Sequence, residues 1–464
     1  MSFTAAKRRR WILAATILGS SMAFVDGTVV NIAVPVLQEQ MNATIADVQW
    51  VVEAYTLFLA ALMLTGGAMG DRYGRKRVFM LGAAIFTAGS IACGFAPAIG
   101  ALIAFRGLQG IGAALMVPGS LAIINATFPD RERGKAIGTW SAFTSITMVI
   151  GPLVGGTMID HASWRAIFFI NVPMAAIVLV LAWRCIPETK EGSARALDLA
   201  GAVLATTGLG ALVFGLIESS RFGFGHPLIW ASALAGMGLL AAFVVVEWRS
   251  RSPMMPLSLF RSHAFRGTNL LTLFLYGALA GGLFFVPINL IQVQGFTATQ
   301  AGAAMTPSVL LLFLLSRWAG GLADRVGAKP LLLAGPAIAA IGFALFILPG
   351  ENASYWTGFL PGFVVLGFGM SLTVAPLTTT VMASVQREHS GVASGINNAV
   401  SETAGLLAIA AFGIPMAHAF HDGVAVAGPF IAGYRLVMAL CAGLAVLSAI
   451  CAWVSLDGKP RRRG

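Results

Sequence analysis

The chain has 464 residues, 57% of them hydrophobic and only 11% charged, with a mean hydropathy of +0.83. A soluble protein averages about 25% charged residues, and the deficit here runs the whole length, so a soluble enzyme is excluded and an all-α polytopic membrane protein is expected. The formal net charge of +11 does not mark a nucleic-acid binder, because Lys and Arg fall in short loops between apolar runs and at the two ends, where the positive-inside rule puts them.

Lys7-Arg8-Arg9-Arg10 opens the first apolar run, which continues past Asp26 to Pro35. That is too long for the core of a cleaved signal peptide, so an uncleaved first helix is expected. With about 20 residues per span, the sequence predicts fourteen spans: 11–35, 49–70, 78–97, 99–125, 136–159, 164–186, 197–217, 228–247, 268–293, 301–322, 330–349, 355–382, 391–417 and 431–455. An even number puts both termini on one side. That side then holds 25 of the 30 Lys and Arg residues, which makes it cytoplasmic.

The stretch Gly67-Ala68-Met69-Gly70-Asp71-Arg72-Tyr73-Gly74-Arg75-Lys76 follows the second span. It returns 253 residues later, after the tenth, as Gly320-Gly321-Leu322-Ala323-Asp324-Arg325-Val326-Gly327-Ala328-Lys329. Both copies read G-x-x-x-D-R-x-G-x-K. A charged hinge used twice at the same point of two apolar hairpins indicates duplication. It divides the chain into a six-helix half at 1–190, a joining segment at 191–266 with two extra spans, and a second six-helix half at 267–464. Within the join, Pro253–Arg261 reads as a short amphipathic helix on the inner leaflet.

Ionisable groups inside a bilayer cost about 2.5–3.5 kcal/mol each on insertion scales, so each asks for a reason. Asp26 falls about 22 Å into the first span, Glu53 about 6 Å into the second and Arg106 about 10 Å into the fourth. If these spans are neighbours, the three converge at one level. A carboxylate beside an arginine can exchange a proton or a cationic ligand for that arginine; the alternative is a static pair that only fixes helix packing. Asn397-Asn398-Ala399-Val400-Ser401-Glu402-Thr403 interrupts the thirteenth span, with Glu402 near mid-membrane as a proton or cation site and the asparagines as polar glue. In the fifth span, Pro152 predicts a kink, and Gly151, Gly155 and Gly156 a groove for a neighbouring helix.

Cys93, Cys185, Cys441 and Cys451 form no C-x-x-C, and the six histidines form no metal-ligand pattern. No phosphate-binding loop or H-E-x-x-H occurs. No enzyme activity, metal or cofactor is expected.

With these motifs in place, the chain resembles the major facilitator superfamily, and within it the fourteen-span drug:proton antiporters of the EmrB/QacA type. The hinge is similar to the superfamily loop at Gly67, Asp71, Arg72, Gly74, Arg75 and Lys76. Asp26, Thr28, Asn31 and Pro35 match the first-helix motif. Arg106, Gln109, Gly110 and Gly112 match the fourth-helix motif, and Gly151, Pro152, Gly155 and Gly156 the antiporter motif. Trp164-Arg165, Phe168, Phe169, Asn171 and Pro173 are also typical. Ser401-Glu402 departs from many relatives, which carry arginine there.

The resemblance implies alternating access in a bacterial inner membrane, with proton-coupled export of amphipathic, cationic drugs or toxic metabolites. Asp26, Asn31, Glu53, Arg106 and Glu402 would form the proton and substrate site. Gly67, Asp71, Arg72, Gly74 and Arg75, with Asp324 and Arg325 of the second copy, would gate the cytoplasmic side. An exporter dedicated to one antibiotic or metabolite fits the same motifs, and a non-transporting receptor on this fold is a third reading. Expected partners are a small-molecule substrate, protons and the bilayer, with a periplasmic adaptor protein left open.

Overall fold

The computed structural model describes residues 5–190, 197–250, 252–386, 390–416, 419–421 and 424–456. The C-terminal cluster Lys459 and Arg461–Arg463 lies outside them, as does the side chain of Asp324. Fifteen α-helices run in chain order: α1 (Ala5–Met41), α2 (Ile45–Tyr73), α3 (Arg75–Gly94), α4 (Ile99–Thr127), α5 (Asp130–His161), the single turn α6 (Ala166–Phe169), α7 (Asn171–Cys185), α8 (Leu199–Phe222), α9 (Pro227–Arg249), α10 (His263–Ile288), α11 (Ala298–Val326), α12 (Ala328–Leu345), α13 (Leu360–Ala383), α14 (Ser390–Phe412) and α15 (Ala427–Ser455). A two-residue hairpin, Phe420–His421 against Val424–Ala425, joins α14 to α15. Among the described residues, thirteen helices are long and apolar enough to cross a membrane. The predicted span at 136–159 lies in α5, some of whose side chains are outside the described set.

The repeat seen in the hinge extends over a whole helix. α2 and α11 are both 29 residues long. Each starts in a capping box, Thr44 with Asp47 and Thr297 with Gln300, in which side chain and backbone satisfy each other's orphan groups. Each stops at a glycine with positive φ, Gly74 at 114° and Gly327 at 88°, where an L side chain is strained. The two stops differ in their surroundings. A Cβ on Gly74 would lie 2.5 Å from a Glu188 carboxylate oxygen, whereas nothing lies within 4 Å of one on Gly327. Gly327→Ala is therefore expected to lower stability by about 1 kcal/mol from backbone strain alone. Gly74→Ala should cost clearly more, and thermal unfolding of the two variants side by side checks the order.

Within the first helical group, α2 and α3 lie against α4, and α1 against α5 and α7. Within the second, α12 packs on α13, and α10 on α14 and α15. Phe284, Phe285, Phe343, Phe346, Phe359 and Phe363 fill the second group's centre, all buried. The groups meet along α5 with α11 and along α2 with α14. Among the described residues, three side-chain tethers join them at the end of the bundle away from the N-terminus, here called the distal end. Gln49 Nε2 donates to Ile409 O at 2.6 Å, and Gln292 Nε2 to Gln38 Oε1 at 3.4 Å. Asp160 accepts from the Ala298 and Thr299 amides.

The extra helices α8 and α9 pair with each other, and α8 lies on α2, pinned where Trp50 Nε1 donates to Glu218 Oε1 at 3.1 Å. The chain then returns across the bundle: the Met255 amide donates to Glu247 at 3.0 Å, and Met254 Sδ accepts from Thr65 on α2 at 3.6 Å. The amphipathic helix expected at 253–261 does not form; only Leu257–Arg261 closes a 3-10 turn, with Leu259 buried. Pro253 and Pro256 remove two amide donors, and Ser262 already caps α10 through the Phe265 amide at 3.3 Å. The polar stretch Asn397–Thr403 of the thirteenth span does not break it: α14 runs through it as one helix.

Candidate functional site

α1 carries Asp26 on its buried face, 2% exposed, and α4 brings Arg106 to it, fully buried. Arginine cannot shed its charge in a protein, so a buried guanidinium needs a counter-ion and acceptors. Its Nη1 donates to Asp26 Oδ2 and, at 2.9 Å, to Gln109 Oε1; its Nε donates to Val51 O at 2.9 Å. The Tyr55 ring lies under the guanidinium at 4.4 Å, a cation–π contact, and the Tyr55 hydroxyl donates to Ala23 O at 3.0 Å. The other Asp26 oxygen accepts from Gln109 Nε2 at 2.9 Å and Asn171 Nδ2 at 3.1 Å. Asn171 also donates to Ser90 Oγ at 2.9 Å, and Ser90 to Phe168 O at 2.8 Å. Five helices thus converge on one carboxylate–guanidinium pair. The arrangement can hold a proton or a cation in place of the arginine contact, because Asp26 has neutral donors that would remain.

Glu53 is fully buried one turn from Trp50, with both carboxylate oxygens lacking a hydrogen-bond partner. Glu402 is half-buried on α14, and its charge acts on Glu53, Tyr55 and Tyr276. Asn397 ties α14 to α10, donating to Thr272 Oγ1 at 2.7 Å and Asn269 Oδ1 at 3.1 Å, as expected of polar glue between spans. Asn31 lies further along α1, half-buried, with its Oδ1 unpartnered, and does not join the network.

The hinge residues fasten to their own group. Asp71 Oδ1 accepts from Arg75 at 2.8 and 2.7 Å, and the Arg75 amide donates to Thr189 O at 3.0 Å. Glu188 takes the Lys76 amide at 3.2 Å and pairs with Arg77 at 3.6 Å. Gly67 faces Pro118 on α4, while the Arg72 and Arg325 side chains are exposed. In α5 the antiporter glycines divide between two neighbours. Cβ atoms on Gly151 and Gly155 would meet Thr28 and Val29 of α1 at 2.8 and 2.7 Å, and one on Gly156 would run into Ala298 O of α11. Pro152 O in turn fills the space beside Gly302.

Residues 16–409 match the profile of the Major Facilitator Superfamily. The chain belongs to that superfamily. It is 36% identical over 412 residues to "Multidrug resistance protein Stp" of Mycobacterium tuberculosis, covering 87% of this chain and 75% of that protein. It is 32% identical over 417 residues to the "Tetracenomycin C resistance and export protein" of Streptomyces glaucescens, covering 89% and 77%. The structure of a bacterial homolog to the human lysosomal transporter Spinster, inward-facing and unoccupied, superposes with a TM-score of 0.70 at 16% identity over 97% of both chains, which shows a shared fold. This superfamily member is thus an efflux transporter and not an enzyme, with many apolar helices in the membrane.

Of the expected site residues, the fold joins Asp26 and Arg106 directly, while Glu53 on α2 and Glu402 on α14 lie within electrostatic reach of each other. Asn171, Ser90 and Tyr55 were missed as members of the Asp26–Arg106 network. In sequence Asn171 is marked only as part of a stretch typical of the resembled family, and Ser90 and Tyr55 are individual polar residues in apolar spans.

Proposed function

We propose that this transporter exports amphipathic, cationic drugs or toxic metabolites in exchange for protons. It does so by alternating access of two six-helix halves, 1–190 and 267–464, joined through 191–266. The reading takes fourteen spans in a bacterial inner membrane with both termini cytoplasmic, so the distal end faces outward. The observation that carries it is the Asp26–Arg106 pair, buried and shared with neutral donors, together with a second buried carboxylate, Glu53 on α2, whose oxygens have no hydrogen-bond partner. A buried anion without a partner is costly, and a proton or a cationic ligand relieves that cost. Tyr55 on α2 and Tyr276 on α10 both lie within electrostatic reach of Glu402 on α14, which suits a cation held between aromatic rings of the two halves. Purified protein in proteoliposomes, given an inward-directed proton gradient and a panel of lipophilic cations, should move cations against protons without any adaptor. Cation movement indifferent to the proton gradient would overturn the coupling.

A second reading, export of one natural product, draws on the tetracenomycin relative. Resistance to chemically unrelated compounds in cells expressing the protein argues for the broad reading, and resistance confined to one compound for the narrow one. The hinge acts as the cytoplasmic latch in either case. Asp71→Asn should weaken the outward-open state, read as greater reactivity of a cysteine placed at the cytoplasmic end, with ligand affinity unchanged. Asp324, with fewer basic neighbours in sequence, should be the weaker latch.

A further inference from the structure

The first turn of α11 makes four amide donors that the helix itself cannot satisfy. Two are satisfied locally: Thr297 N donates to Gln300 Oε1 at 3.0 Å, and Gln300 N to Thr297 Oγ1 at 3.2 Å. The other two, Ala298 N and Thr299 N, donate to Oδ1 and Oδ2 of Asp160 at 3.1 and 2.8 Å. Asp160 is in the last turn of α5, in the other helical group. One carboxylate thus completes the cap of a helix that begins 138 residues later, and its charge lies at the positive end of that helix.

Just below this cap, α5 and α11 touch backbone to backbone. Gly156 abuts Ala298 O, and Gly302 abuts Pro152 O. The groups can part at this end only if both Asp160 bonds break.

The duplication makes the contact one-sided. At the repeat offset from Asp160 stands Gly413, just past α14, and it lies against Gln49 in the second turn of α2. The same corner of the fold therefore recurs with a glycine where α5 has a carboxylate. The α2 corner is joined through Gln49 and Ile409 O, a neutral contact.

We propose that Asp160 is the distal latch of the transport cycle: a gating residue that holds the distal end shut by capping α11 across the two halves and must be released at every turnover. This rests on the alternating-access reading above.

The surroundings of Asp160 make it a standing charge and not a proton carrier. Burial pushes its carboxyl up, but the bonds from Thr299, Thr297 and Ala298 outweigh burial and hold it below the ordinary carboxylate value. The stabilisation is then fully present above about pH 4 and is lost only as pH falls through the depressed value. On α5 its titratable neighbour is His161. The α11 stretch Ala298–Pro307 carries no charged residue. Arg165, past the end of α5, is turned away, stacked on Trp164 and donating to Ala96 O at 3.2 Å.

The test is a distance across the distal end, read in full-length protein in lipid with spin labels on cysteines replacing the exposed Glu39 and Glu351. Asp160→Ala should move the closed-to-open ratio toward open by about tenfold or more, the size of losing one to two hydrogen bonds to a charged group. Asp160→Asn, with a single acceptor, should fall between. Asp160→Glu should recover most of the closed population, which a merely structural role would not require. The Asp160→Ala distribution should stay shifted from pH 5 to 8. An unchanged distribution in folded Asp160→Ala would overturn the latch, and a wild-type distribution that opens as pH drops from 8 to 5 while that of Asp160→Ala does not change would overturn the standing charge and make Asp160 a proton carrier. Failure of the export reading would appear elsewhere, as wild-type protein that moves no cation while its distal end still responds to Asp160→Ala.

Discussion

Asp26→Asn is expected to abolish proton-driven efflux, with a loss of about a hundredfold or more, the equivalent of about 3 kcal/mol at the coupled step. The substitution keeps shape and can keep the bonds from Gln109 and Asn171. It removes the carboxylate that faces the Arg106 guanidinium directly. An uncompensated buried charge costs about 3–5 kcal/mol, so thermal stability should fall as well, and loss of transport alone would not separate coupling from packing. The double variant Asp26→Asn with Arg106→Gln does separate them. It removes both charges together, and replacing a whole buried pair is often neutral for stability. A pair that only fixes packing predicts that both stability and transport return. A coupling pair predicts that stability returns and transport does not. The readout is substrate movement after a pH jump, beside thermal unfolding of the same preparations. Wild-type transport in the double variant would rule out the coupling role.

Although 78–97 and 330–349 overrun α3 and α12 and 164–186 is divided between α6 and α7, each apolar run read from the sequence overlaps an observed helix, because the length needed to cross a bilayer is a one-dimensional property. The hinge repeat was legible for the same reason. Its extension to the capping boxes at Thr44 and Thr297 was equally present, at the same offset of 253 residues, but T-x-x-D and T-x-x-Q look less alike than the hinge. What the sequence withheld is azimuth. A helix apolar on every side does not declare which face meets which neighbour, so Ser90 and Asn171 could not be assigned to Asp26 although Arg106 could be placed at its depth. Glu53 shows the same limit from the other direction. Depth along the span made it shallow, yet it is fully buried, because α8 and α14 close over the start of α2 through Trp50–Glu218 and Gln49–Ile409. The segment at 253–261 reads as an amphipathic helix because apolar Met254, Met255, Leu257, Leu259 and Phe260 are interspersed with Ser258 and Arg261. In the structure the donors lost at its two prolines decide, and the chain runs on to the Ser262 cap.

The second large effect belongs to Gly156. Gly156→Leu should prevent the distal end from closing, with a loss of transport of about tenfold or more. Overpacking a tight contact typically costs about 1–3 kcal/mol, and here little can yield: the atoms in the way are Ala298 O and C and the Thr299 Cα, all backbone of α11. Gly155 gives the internal control. A Cβ there meets only the Val29 side chain of α1, within the same helical group, at 2.7 Å, and a valine can change rotamer or shift. Two glycines side by side in one motif should therefore fail differently. Gly155→Ala should lower the unfolding temperature and leave the distal Glu39–Glu351 label distance near wild type. Gly156→Leu should lengthen that distance even in protein that remains folded, because the strain lies between the moving groups and is relieved when they part. Gly302→Leu, which meets Pro152 O from the opposite side of the same seam, should reproduce the lengthening. Combining it with Gly156→Leu should add little, since an interface already open has no contact left to strain. A distal distance unchanged in both single variants would mean that this seam does not move during transport.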